Sequence, residues 1–406
     1  MQRQELRDAG RLLGTALGEL AELSRDVHRG VAGRVFGLLG TPAAPVRLMH
    51  DAIAGVAYGS TRLGTRVLPA AVGASAAAAR RADTGPFADA ARAHVALAAL
   101  DGFWGDRTAE DAAALSRPMR LRTHGGPLRA RPANVAHDAG AAATGRLAVF
   151  VHGLCESDRC WWLRARGSTD RDVTFGSRLR DDHGWTPIYA DFNSGLHISA
   201  NGRELAEKVD ALVRAWPVPV TEVALVGHSM GGLVARAAAE RAALEQLPWS
   251  AALRHVIGLG TPHLGAPLER AVNAGTSALA RLPETRPFAT WLNRRSVGIK
   301  DLRYGALVEA DWLGHDPDER LVDRCTAAAL LPGVTYSMVS ATLSRRPDGL
   351  FGHDLLVQHV SAHGTGTPRS RRIEFDADRL FHVGGRHHFD LLRDPAVYEK
   401  LSDWLG

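Results

Sequence analysis

Gly227-His228-Ser229-Met230-Gly231 has the form G-x-S-x-G. Such a serine serves as a nucleophile when a sharp turn from strand to helix lifts its oxygen above a sheet. The flanks meet that need: VALV reads as an apolar strand before it, and LVARAAAERA as a helix after it. Gly227 and Gly231 permit close backbone approach, and Gly232 adds another small residue at the helix entry. The helix N-terminus then faces the serine and favours negative charge there. A glycine-rich turn with an incidental serine is the competing explanation, and it requires neither flank.

A serine hydroxyl needs a base to take its proton. On a strand–turn–helix scaffold of this kind the chain order is Ser, then Asp or Glu, then His. GHDLLVQHVSAHG (352–364) places Asp354 in a loop after the strand ending near Ala341, with Asp348 as an alternative acid. VGGRHHFDLLRDPAVY (383–398) places His387 and His388 in a turn after the last strand. The base must turn Nε2 to Ser229 and Nδ1–H to the carboxylate. Position in the sequence does not choose between the two histidines. Acyl transfer also develops an oxyanion, which two backbone N–H groups can stabilise. The amide of Met230 is the expected first donor, and that of Leu154 in VFVHGLCES (149–157) the second. His152 is then expected to support that loop and to take no part in proton transfer.

These residues must be positioned by a sheet. Apolar runs at 146–154, 186–195, 222–229, 255–267 and 334–341 read as strands, as does RRIEFDAD at 371–378. Helical stretches such as 202–216 alternate with them. The pattern implies an α/β fold with a mostly parallel sheet covered on both faces. DPAVYEKLSDWLG closes the chain as a helix with Asp394 as N-cap and Pro395 in its first turn. Two short strands are expected at MRLRTH and PLRARP. Residues 264–332 interrupt the alternation where a cap would be inserted, as a lid over an acyl pocket or as an ordinary packed insertion.

Residues 1–115 read as a helical N-terminal region, and 116–406 as the α/β domain. Leu13, Leu17, Leu20, Val27 and Val31 recur at helical spacing, as do Met49, Ile53, Val56, Ser60, Leu63 and Val67. GTPAAP (40–45) breaks the two into a hairpin. A third helix is expected over 88–100, ended by DGFWGD (101–106). The apolar stripes are expected to pack on the neighbouring domain. A lipid-facing or acyl-gating surface is the alternative.

The 406 residues are 45% apolar and 23% charged, as in a soluble globular protein. The formal net charge of +5 comes almost wholly from arginine, since lysine occurs only at 208, 300 and 400. No dense basic block with interleaved aromatics marks a nucleic-acid groove, so no nucleic-acid partner is expected. Cys155 and Cys160 are close enough to pair, but reduced thiols are expected, and Cys325 is left over. The histidine-rich segments lack H-E-x-x-H and paired C-x-x-C spacing, so no metal site is expected. No secretory signal and no run of about 18 apolar residues is seen. A cytoplasmic protein is expected, with peripheral membrane contact through the N-terminal helices left open.

The stretches VHGLCES, FNSGLHISANGREL, LVGHSMGGLVAR, GLGTPHLGAPLER and HHFDLLRDPAVYEKLSDWL resemble the α/β-hydrolase superfamily. Within it they are similar to bacterial lipases and esterases related to GPI inositol-deacylase. The resemblance covers most of 146–406. It implies a Ser–Asp–His triad and no cofactor. Ser229 matches the nucleophile, Asp354 the acid, and His388 the histidine directly before Phe-Asp-Leu-Leu; His387 remains the alternative. Many relatives carry Asp-Gly at the acid, where this chain has Asp354-Leu355. The implied activity is hydrolysis of a carboxylic ester, small or lipid, through an acyl-enzyme on Ser229. An acyltransferase with the same triad and an inactive hydrolase-fold binding protein are the alternatives.

Overall fold

The computed structural model describes residues 2–79, 91–124, 126–128, 135, 138, 143–167, 173–326, 328–347, 352–366 and 369–406. Eight strands form one sheet: β1 Arg120–Thr123, β2 Gly126–Pro127, β3 Arg146–Val151, β4 Thr186–Asp191, β5 Glu222–His228, β6 Leu253–Leu259, β7 Thr335–Thr342 and β8 Leu380–Gly384. Their spatial order is β2-β1-β4-β3-β5-β6-β7-β8. β3 to β8 pair in parallel, and β1 pairs antiparallel with both β2 and β4.

β3 shows why the central strands read as unbroken apolar runs. Leu147, Val149 and Val151 face one core, whereas Ala148 and Phe150 face the other. Successive side chains point to opposite faces, so a strand covered on both sides needs apolar residues throughout. The first core is closed by α5 (Ile198–Ala215) and α6 (Met230–Leu244), through Leu205, Val209, Leu233 and Val234. The second is closed by α4 (Phe175–His183) and α10 (Pro395–Leu405), through Phe175, Leu179, Val397 and Leu401. The closing helix has the expected cap: the Asp394 carboxylate accepts from the Ala396 amide at 3.0 Å.

The last strand lies later than its texture suggests. Residues 371–378 are loop and 3-10 turn, and β8 is Leu380–Gly384. Ile373 and Phe375 are still anchored in the core, as side chains of a loop. Their apolarity serves packing, while β7 pairs with Leu380–Gly384 through Met338–Thr342.

Three helices precede the sheet. α1 (Arg3–Leu39) and α2 (Ala44–Ala79) form the expected hairpin. Their apolar stripes are not packed on the neighbouring domain. Leu13, Leu20 and Val31 are exposed on α1, as are Met49, Ile53, Val56, Leu63 and Val67 on α2. The helices meet instead through small residues. A Cβ added at Gly10 would lie 3.0 Å from the Gly73 Cα, and one at Gly14 would lie 2.7 Å from the Arg66 carbonyl oxygen. Glycines along the contact line let the two backbones approach closely, which leaves the larger side chains outside it.

α3 spans Ala91–Asp111 and runs through DGFWGD, with a kink at Trp104 (φ −138°, ψ 26°). Gly102 and Gly105 are contact points. A Cβ at Gly102 would lie 2.9 Å from the Cys155 nitrogen, and one at Gly105 would lie 2.9 Å from the Gly195 Cα. α3 is thereby pressed against the loops after β3 and β4. The insertion after β6 contains α7 (Pro267–Leu279), α8 (Arg286–Leu292) and α9 (Val297–Asp301).

Candidate active site

Ser229 stands between β5 and α6 with φ 53° and ψ −126°. Positive φ at a non-glycine residue is costly, about 1–3 kcal/mol, and persists only where its surroundings enforce it. Here the Ser229 amide donates to the Leu259 carbonyl at 2.8 Å, and its own carbonyl accepts from Gly232 at 3.1 Å. Gly231 lies against the carbonyls of Val151 and His152, and Gly227 against the backbone of Gly231 and Gly232, so neither position has room for a side chain.

His388 and Asp354 meet as a buried pair. Each is 1% exposed. Nδ1 of His388 lies 2.6 Å from Oδ2 of Asp354, and the His388 amide donates to the Asp354 carbonyl at 3.0 Å. The other carboxylate oxygen accepts from the amides of Leu356 (3.0 Å) and Val357 (2.8 Å). Burial alone would raise the Asp354 pKa, but the hydrogen bond and charge of His388, with those two amides, bring it below the ordinary carboxylate value. Nε2 of His388 is buried without a hydrogen-bond partner. It makes no hydrogen bond to Ser229 here, although both residues line one cavity. Such contacts are often long before substrate binds.

His387 is not part of this pair. Its Nε2 lies 3.2 Å from Asp390, and its side chain is 43% exposed. Asp348 lies outside the described residues. The Asp354-Leu355 departure has a backbone consequence, because Leu355 sits at φ 93°, a region that favours glycine. Leu355 is also exposed. Leu355→Gly is therefore expected to stabilise the fold by about 1 kcal/mol, read by chemical denaturation, with Asp354 still in place.

The loop after β3 is held from three sides. His152 is stacked on Phe192 at 4.0 Å between ring centroids. Its Nδ1 donates to the Gly153 carbonyl at 2.9 Å, and its Nε2 accepts from the Phe192 amide at 3.2 Å. Burial lowers its pKa and keeps it neutral, which suits a supporting role. The Cys155 amide donates to Ser194 Oγ at 3.1 Å. Among the described residues, no hydrogen bond occupies the amides of Leu154 or Met230.

Two neighbours of the serine were not singled out by residue type. The Glu156 carboxylate accepts from the Gly153 amide at 2.7 Å and faces His228 Nδ1 at 3.0 Å. His228 Nε2 lies 3.3 Å from the His388 carbonyl. Both ring nitrogens of His228 thus face acceptors, which fits an imidazolium donating twice. Burial would raise the Glu156 pKa, yet the charge and hydrogen bond of His228 and the Gly153 amide bring it down to about 2. Burial would lower the His228 pKa, and Glu156 outweighs it in the other direction. Glu156 stands in VHGLCES and His228 in the serine pentapeptide, but nothing in their spacing marks them as partners.

One constellation resembles a metal site. Among the described residues, His94, Asp158 and Asp191 bring ligand atoms within 4.8 Å of one another. Arginines already occupy these carboxylates: Arg117 is 2.7 Å from both Asp101 and Asp191, and Arg122 is 2.9 Å from Asp158. The cluster is an ion-pair network that ties α3 to the sheet. Cys155, Cys160 and Cys325 are free thiols.

Residues 142–312, which contain β3 to β6, the serine elbow and α7 to α9, match the family model described as PGAP1-like alpha/beta domain. The chain is an α/β-hydrolase relative. A search of curated proteins returns no match. Among solved structures, the mature lipase BlEst2 of Bacillus licheniformis is similar at 17% identity and a TM-score of 0.38, over 71% of this chain and 99% of that one. Lipase B of Aspergillus fumigatus is similar at 13% identity and a TM-score of 0.39, over 67% and 57%. The lipase of Staphylococcus hyicus is similar at 14% identity and a TM-score of 0.37, over 64% and 95%.

In this α/β-hydrolase relative the serine opens into a cavity of about 450 Å³. Its walls come from three parts of the chain. Leu154, Leu356 and Phe389 belong to the loops around the sheet. Leu268, Val272, Trp291 and Leu292 come from α7 and α8. Phe103 and Trp104 come from α3, so the N-terminal region reaches the site itself. The helical pattern that suggested α3 carried no signal of this, because its glycines read as a helix break.

Proposed function

We propose that the protein hydrolyses carboxylic esters with an apolar acyl group, through an acyl-enzyme on Ser229. The buried His388–Asp354 pair beside a strained serine, opening on one apolar cavity, supports this reading most strongly. His388 takes the Ser229 proton as the hydroxyl attacks the ester carbonyl. Asp354 fixes the ring so that Nε2 serves as base and stabilises the imidazolium that forms. The amides of Leu154 and Met230 receive the oxyanion. His388 then protonates the departing alkoxide and activates the water that frees the acid.

Glu156 and His228 act as positioning residues in this scheme. The carboxylate holds the Gly153 turn, and the imidazolium links that turn to the backbone of His388. The site needs no metal or organic cofactor for this chemistry.

The test is a p-nitrophenyl ester series, with fluorophosphonate labelling in parallel. Each methylene buried in the cavity contributes about 0.8 kcal/mol. From acetate upwards, kcat/KM is expected to rise about fourfold per methylene until the cavity is filled. A series flat from acetate to palmitate would remove the acyl-pocket reading. Failure of the probe to label Ser229 would remove the serine hydrolase reading.

A further inference from the structure

The α1–α2 hairpin is turned inside out relative to a soluble helical pair. Gly10, Gly14, Gly18 and Gly73 face inwards, and most of the large apolar side chains of α2 face outwards. On α2 the exposed large apolar residues run from Val46 to Val72. At about 100° per residue they occupy an arc of about 240°. Arg47, Asp51, Arg62 and Arg66 fall in the remaining sector or on its edge, on the side towards α1. A packed helix needs an apolar stripe only a little over about 100° wide. One partner helix, including one from a second copy of this chain, would leave most of the arc uncovered. A fluid apolar medium covers all of it.

The polar groups fit the same medium. Ser60, Thr61 and Thr65 turn their hydroxyls onto carbonyls of their own helix, at 2.8–3.1 Å. The acids are directed inwards or paired. Glu5 and Asp8 are buried. Glu22 is bound by Arg62 at 2.7 Å and Arg66 at 3.0 Å, and Glu19 by Arg107 at 2.8 Å and Arg294 at 3.1 Å. Asp26 and Asp51 pair with Arg25 and Arg47. Among the described residues, Arg7 and Arg29 are exposed and paired with no carboxylate. The outward charge is therefore positive, as an anionic surface requires. No described helix is long and apolar enough to cross a membrane, so the fitting mode is peripheral.

We propose that this hairpin docks the protein on an anionic lipid surface, with α2 lying in the interface. The docked element is joined directly to the cap. Arg34 donates to Glu284 at 3.0 Å, and a Cβ at Gly30 would lie 3.0 Å from the Glu284 Cα. Arg294, bound to Glu19, follows Trp291 and Leu292, which line the Ser229 cavity. The lipid surface is thereby coupled through α1 and α8 to the wall of the acyl pocket.

The test is flotation of the full-length chain with vesicles of phosphatidylcholine alone and of phosphatidylcholine and phosphatidylglycerol in equal parts. Wild-type protein is expected to float with the anionic vesicles and far less with the neutral ones. A variant carrying Leu48→Glu, Val56→Glu, Leu63→Glu and Val67→Glu should stay in the bottom fraction, with at least about tenfold less protein floated. These side chains are exposed, so its near-UV circular dichroism should match wild type. If it does not, alanines at the same four positions replace the glutamates, and floated protein should again fall. Wild-type protein that floats with neither vesicle overturns the proposal, as does a variant that floats as well as wild type. A wild-type dimer that the substitutions dissociate, without vesicle binding, assigns the face to a second copy and also overturns it. Flotation requires no turnover, so the outcome is independent of ester cleavage.

Discussion

Ser229→Ala is expected to lower kcat by about a million-fold, equivalent to about 8 kcal/mol of activation free energy. The size follows from the role. Without the oxygen no acyl-enzyme forms, and only substrate binding and the oxyanion donors remain to act on water. The fold should be unaffected, since alanine meets the same positive φ as serine. Ser229→Gly sharpens the test. Glycine adopts φ 53° without strain, so this variant should be equally inactive yet more stable, by about 1–3 kcal/mol. Denaturation curves and single-turnover assays on the same preparations read both quantities. Turnover retained in either variant would remove Ser229 from the chemistry. A loss of activity accompanied by unfolding would show a structural role in place of a catalytic one.

The elbow was legible because its physics is local. Strand, turn and helix lie within about twenty residues, and Gly227 and Gly231 are required by contacts made inside that span or with the end of the neighbouring strand β3. The sheet was legible for a related reason: strands buried on both faces leave unbroken apolar runs. RRIEFDAD misled because Ile373 and Phe375 are apolar for packing alone, and strand pairing is decided by the partner β7. DGFWGD misled in another way. Glycine marks a helix break and a close backbone contact with the same letter, and the contacts of Gly102 and Gly105 lie with Cys155, Asn193 and Gly195, far along the chain. The stripes on α1 and α2 were seen, but a stripe does not state what faces it. Glu156 and His228 left no trace, because a buried ion pair has no periodicity. Leu355 is the reverse case: its mismatch with Asp-Gly was visible in the sequence, and positive φ explains why glycine suits that position.

His388→Ala should be as damaging as loss of the serine, about a million-fold in kcat, whereas His387→Ala should change activity only a few-fold. The two are adjacent in sequence and differ in what the turn presents them to. His388 is 1% exposed, hydrogen-bonded through Nδ1 to Asp354, with Nε2 left buried and unpaired beside the cavity. His387 is turned outwards to Asp390. Loss of His387 removes a partly exposed contact with Asp390, and even a charged pair so exposed contributes about 0–1 kcal/mol to stability. Asp354→Asn should fall between them, with kcat lowered by about ten-thousand-fold, because the ring keeps its place but loses the carboxylate that sets its tautomer and stabilises its charge. Kinetics on the three variants, at a pH where wild-type activity is maximal, give the ranking. If His387→Ala proved the more damaging, His388 could not be the base, and the buried pair would be structural. If Asp354→Asn retained full activity, the acid would have to come from another carboxylate. Asp348 would then be the one to substitute next.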